Sequence, residues 1–138
     1  MRIILIAMFL LFTSTGCFAA EKVVIKNAKA KDVLEATQNY MITERGAVVK
    51  TSKKNSVTMY ELINYKTKFS ARFANYSREA NWYFNVIQEK DNVTLTLSGE
   101  TVRRSQLNGV KNSKRPVKQE TERQILQNIQ NTFEADRT

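Results

Sequence analysis

From Ala28 to Arg45 the apolar set Ala30, Val33, Leu34, Thr37 and Met41 recurs at spacings of 3, 1, 3 and 4. Those spacings form one face of a helix. Asn27 is placed to cap its start and Gly46 to stop it. Before it, Glu21–Lys26 sets Val23 and Ile25 against Lys22, Val24 and Lys26, which predicts a short strand. After Gly46 the period of 3.6 disappears. Ala47–Lys53 and Ser56–Ile63 are β-branched and aromatic-rich around Lys54-Asn55, a hairpin pattern. Phe69, Ala71 and Phe73 alternate with polar residues and suggest a further short strand. Ala80–Gln88 puts Ala80, Trp82, Phe84 and Val86 on one face. Past a turn at Asp91-Asn92, Val93–Val102 alternates Val93, Leu95 and Leu97 with Thr94, Thr96 and Ser98. Trp82, Phe84 and Val86 are expected in the core.

Residues 103–118 break this alternation. They hold six basic residues and no acidic one, together with Gly109 and the chain's only proline, Pro116. The segment reads as a basic loop. A Thr121-x-x-Gln124 capping pattern then opens a helix over Glu120–Ala135, with Ile125, Leu126, Ile129 and Phe133 as its apolar stripe. The order is β-α-β-β-(β)-β-β-α. Short connections favour neighbouring antiparallel strands, and each helix has one apolar face to bury. The expected fold is α+β: an antiparallel meander sheet of four to six strands packed against an N-terminal and a C-terminal helix.

The first twenty residues follow different rules. Arg2 precedes an unbroken apolar run, Ile3–Phe12, and then the small and polar residues Thr13–Gly16 and Cys17. This is the tripartite pattern of a secretory signal peptide. Ten apolar residues in a helix rise about 15 Å, half of a hydrocarbon core of about 30 Å. The expected division is a signal peptide over 1–19, cleaved, with one candidate cut before Cys17. A single domain then fills 20–138. Ser14-Thr15-Gly16-Cys17 resembles a bacterial lipobox, which would make Cys17 an acyl acceptor; Ser14 departs from the usual Leu. Cleavage after Ala19, with Cys17 and Ala19 as the small residues, would instead release a soluble protein. In the lipoprotein reading, Phe18 stands where an inner-membrane retention signal would have Asp, which favours the periplasmic face of the outer membrane.

Composition narrows the chemistry. The 138 residues contain 22 Lys+Arg against 13 Asp+Glu, one Cys and no His. Ser-His-Asp and Cys-His catalysis and His-based zinc sites are therefore excluded, as is an internal disulfide. Four glycines leave no phosphate-cradling loop of the GxGxxG or GxxxxGK type. Asp32 and Glu35 sit three apart on the first helix, near enough to work as an acid/base pair. Beside Lys29 and Lys31 they read instead as a solvated flank. No catalytic residue, cofactor or metal is expected. Aromatics such as Tyr60, Tyr76 and Tyr83 lie among Lys66, Lys68, Arg72 and Arg78, a mixture also found on single-strand nucleic-acid surfaces. In an exported chain it reads as strand composition, and no nucleic-acid partner is expected.

The net charge of +9 is most biased in the 103–118 segment. Arg103, Arg104, Lys111, Lys114, Arg115 and Lys118 are the candidate contacts for an anionic partner, an envelope protein or an anionic envelope component. The lipobox at Ser14–Cys17 and the element order over Glu21–Ala135 together resemble small bacterial envelope lipoproteins. Within that group they look like the helix-grip domains of the outer-membrane assembly lipoprotein BamC. The resemblance implies a non-enzymatic role in binding or complex assembly, with membrane contact through the anchor at Cys17. The alternative is a soluble periplasmic binding or inhibitor module for an anionic ligand or protein.

Overall fold

Helix α1 spans Ala30–Arg45 and buries Val33, Leu34, Thr37 and Met41, the stripe its spacing predicts. Gly46 ends it in the left-handed conformation (φ 65°), with its N–H donating to Ile42 O. The structure, a computed structural model, describes residues 20–68, 74–105 and 111–137. Within them lie β1 (Glu21–Ile25), β2 (Val48–Lys53), β3 (Ser56–Lys68), β4 (Ala74–Glu89), β5 (Asn92–Ser105), β6 (Lys111–Pro116) and α2 (Gln119–Ala135).

The strands form one six-stranded antiparallel sheet in the order β1-β5-β4-β3-β2, with β6 also on β5. Strands β2 to β6 are a meander, and β1 joins from the other end of the chain. β5 is long enough to take two partners along one edge. Val93–Leu97 pairs with β1, and Glu100–Ser105 pairs with β6. Both helices lie on one face. Val33, Leu34 and Met41 from α1 and Ile125, Leu126 and Ile129 from α2 join Val57, Met59, Trp82, Phe84, Val86, Val93, Leu95 and Leu97 in one buried cluster. Each large apolar side chain so buried contributes about 1.5–3 kcal/mol.

Three local expectations are corrected. Most of the described part of the 103–118 segment is strand rather than loop, and residues 106–110 lie outside the described residues. β5 continues through Arg103 and Arg104 to Ser105, and β6 takes Lys111–Pro116. Strand alternation persists there without an apolar face, so hydropathy carries no trace of it. Pro116 is tolerated because it closes an edge strand. The helix caps also differ. Neither Asn27 nor Thr121 caps: the N-cap positions are Lys29 and Lys118, without side-chain hydrogen bonds. Asn27 takes a positive φ of 52° instead. Last, the turn between β4 and β5 is at Lys90-Asp91, one residue earlier than expected, with Lys90 at φ 53°. The short strand expected at Phe69–Phe73 lies outside the described residues.

Candidate functional site

Cross-strand register places the basic residues. Arg103 faces Ser113, Arg104 faces Asn112, Lys114 faces Val102 and Arg115 faces Thr101, while Lys111 opens β6 opposite Ser105. Residues opposite one another share a face. Arg103 and Arg115 therefore lie on the side of Val93, Leu95 and Leu97, where the helices pack. Arg104 and Lys114 lie on the open side. Lys114, Arg115 and Lys118 are exposed. Arg103, Arg104, Lys114, Arg115 and Lys118 are thus distributed over both faces of one hairpin and its exit, rather than gathered into one patch.

Arg104 is held by a carboxylate of β4. Its Nε lies 3.2 Å from Oε2 of Glu79, a carboxylate with only 11% of its side chain accessible. Glu79 also accepts a hydrogen bond from Tyr60. Burial, then the Glu79 hydrogen bond and charge, raise the Tyr60 hydroxyl above its ordinary value, against the opposing charge of Arg104. Four residues along β4 from Glu79, the Tyr83 hydroxyl donates to Glu100 Oε2 at 3.4 Å. Burial and the Glu100 carboxylate raise it likewise. Asn81 lies between these pairs, opposite Tyr60 and Glu100, with its Oδ1 buried and unpartnered. Both tyrosines stay protonated at neutral pH and act as donors to these carboxylates. This strip organises the open face and orients Arg104.

On the helix side, Glu61 Oε2 accepts from Arg45 Nε and from Trp82 Nε1, each at 2.9 Å. The Arg45 guanidinium lies 5.2 Å from the Trp82 ring. A second buried carboxylate, Glu122, accepts the Gly99 N–H at 3.1 Å. Burial raises its pKa first, and the charge of Glu21 adds to the rise; the N–H groups of Gly99 and Glu21 oppose it. None of these carboxylates stood out in the sequence. The only trace was an acidic residue at a position whose parity assigns it to a covered face, as at Glu61 beside Val57 and Met59.

Asp32 and Glu35, the pair noted on α1, line a groove of about 670 Å³ between α1 and α2. Glu44 and Asp136 line it too, and Tyr40 and Phe133 contribute its apolar surface. The Asn128 amide donates to the Tyr40 hydroxyl at 3.1 Å, tying the helices together. Arg137, the one cation among the described lining residues, is engaged by the carbonyls of Lys26 and Asn27 at 2.8 and 2.6 Å and stacks on Phe133.

Among the described residues, no three His, Cys, Asp or Glu stand close enough to hold a metal ion. No described helix is long and apolar enough to cross a membrane. Cys17 lies outside the described residues. In comparisons with known proteins, no family model, no curated protein and no solved structure matches the chain.

Proposed function

We propose that the chain is an exported, lipid-anchored, non-enzymatic envelope protein that binds an anionic partner through the β5–β6 hairpin. The observation that carries this reading is the placement of Arg103, Arg104, Lys114 and Arg115 on paired strands. Their backbones are held in register before any partner arrives, so less ordering entropy is lost on binding than a loop would lose. Lys118 extends the charge to the start of α2. Glu79 orients Arg104 and offsets part of its charge, and the outward residues Lys114 and Arg115 carry most of the attraction. The lipobox-like Ser14–Cys17 and the apolar run before it support export and anchoring through Cys17. The likeness to BamC-type helix-grip domains belongs to the same proposal and rests on the lipobox and the order of elements.

Two measurements test it. The intact mass of the protein recovered from host membranes should correspond to a chain beginning at Cys17 with a diacylglyceryl-sized addition. A chain beginning at Ala20 or Glu21 without an adduct refutes the anchor and leaves a soluble periplasmic module. For the hairpin, Arg103, Arg104, Lys111, Lys114, Arg115 and Lys118 are replaced together by Gln. Binding to host envelope fractions should then be lost, and in the unaltered protein it should weaken steeply with salt. Undiminished binding by the six-fold variant refutes the hairpin as the contact.

A further inference from the structure

The α1–α2 groove and the β5–β6 hairpin have opposite charge and separate places in the molecule. Among the described residues four carboxylates line the groove, and the one guanidinium is bound to two carbonyls of its own chain. The 103–118 segment carries six cations and no anion. The described residues lining the groove belong to α1, α2 or the two residues after α2, while β6 is held along β5 by six register pairs. A hairpin so fixed does not fold back into its own groove.

We propose that the groove of one copy receives the β5–β6 hairpin of a second copy, so that the chain associates head to tail. The proposal rests on reading the hairpin as the anion-binding element, and it names the anion. β6 is an edge strand, with Lys114 and Arg115 on opposite faces of the sheet. Entering edge-first, it directs these cations to opposite walls. Asp32, Glu35 and Glu44 stand on the α1 wall and Asp136 on the α2 wall. Tyr40 and Phe133 cover the aliphatic stems of the incoming side chains. Asn39 and Thr132 in the lining offer partners to the open backbone edge of β6. The two surfaces differ, so the contact is heterologous. Each added copy leaves one groove and one hairpin unused, and growth continues unless the rotation closes a ring.

The test uses the purified full chain, light scattering and sedimentation velocity. At low ionic strength the average mass should rise with concentration. It should fall to that of a monomer at about 1 M salt, where the screening length is about 3 Å. A groove variant (Asp32→Asn, Glu35→Gln, Glu44→Gln) and a hairpin variant (Lys114→Gln, Arg115→Gln) should each be monomeric alone. Mixed, they should form one-to-one dimers that grow no further, since each supplies the surface the other lacks. A wild-type chain that stays monomeric overturns the proposal, as do variants that self-associate unchanged or mixed variants that do not pair. Binding to phosphatidylglycerol vesicles separates this from the reading beneath it. A groove variant that binds vesicles like the wild type, beside a wild type that never self-associates, rejects head-to-tail assembly and leaves the hairpin standing. Undiminished vesicle binding by the hairpin variant rejects the hairpin itself.

Discussion

Gly99 and Trp82 face each other across β4 and β5, and a methyl group on Gly99 would lie 2.6 Å from Trp82 Cζ3. The indole fills the space that a side chain at 99 would need. The same glycine donates its N–H to Glu122 and accepts the Val117 N–H at 2.9 Å. It therefore sits where sheet, α2 and the exit from β6 meet. Gly99→Ala drives its methyl into a buried ring and into Val117 Cγ2 at 2.8 Å. The expected loss is about 1–3 kcal/mol, read as a lower urea midpoint, with Trp82 fluorescence reporting the shifted ring. An unchanged midpoint contradicts the close approach.

Glu61 is the acceptor shared by Arg45 and Trp82. Glu61→Ala leaves an indole N–H buried without a partner and releases Arg45, a loss of about 3 kcal/mol. Trp82→Phe removes one of the two donors and costs less. In a double-mutant cycle Arg45→Ala and Glu61→Ala should couple strongly; additive effects would show that the pair carries no energy.

For Glu122 the sign of the pH dependence follows from its raised native pKa. Between the ordinary glutamate value, about 4.3, and the raised native value, the native state holds more protons than the unfolded one. Stability from this group is therefore present at low pH and lost as pH rises through that window. Glu122→Gln keeps an acceptor for Gly99 and removes the ionisation. The variant should gain on the wild type as pH increases from about 3.5 to about 7.5, followed by urea unfolding. A constant difference across that range refutes the assignment.

Among the hairpin cations, Arg104 should differ from Lys114 and Arg115 in its effect on stability. Arg104→Gln leaves Glu79 buried and deprived of its counter-charge, at a cost of about 1–3 kcal/mol. The exposed pair Lys114→Gln and Arg115→Gln should stay within about 0.5 kcal/mol each. Adding Glu79→Gln to Arg104→Gln should recover part of the loss. Thermal melts of the four proteins decide it, and equal melting temperatures for Arg104→Gln and Lys114→Gln would dissolve the distinction.

Gly46 gives a second test of backbone chemistry. Its φ of 65° is strained for any residue with a Cβ, although nothing lies within 4 Å of one built there. Gly46→Ala should therefore cost about 1–2 kcal/mol through conformation alone, and Gly46→Asn less.

What was legible in the chain followed burial. The stripe on α1, the Trp82–Phe84–Val86 face and the Val93–Leu95–Leu97 face are written in apolar spacing, and from them the α+β sheet follows. β6 was hidden because it is an edge strand of Lys, Arg, Asn and Ser with no covered face. Charged edges resist unwanted pairing, and they also remove the contrast on which periodicity depends. Asp32 and Glu35 were visible as neighbours, but Asp136, which follows α2 and lines the same groove, comes about a hundred residues later. Glu61, Glu79 and Glu122 looked like ordinary surface acids. Their partners Arg45, Arg104 and Gly99 are remote in sequence; the pairing of β4 with β5 brings Glu79 to Arg104, and the packing of α1 and α2 on the sheet brings Arg45 to Glu61 and Glu122 to Gly99.

The first strand of this sheet is laid against residues near the end of it: Glu21–Ile25 pairs with Val93–Leu97. α2 packs on β1 too, through bonds such as Gln130 Nε2 to Val24 O at 3.0 Å. Some seventy residues therefore have to be in hand before β1 acquires a neighbour, a long closure that slows folding. Until then the edge that β5 offers at 93–97 is open to the first strand of any molecule nearby. Speed of closure, as much as final stability, decides whether each chain completes its own sheet.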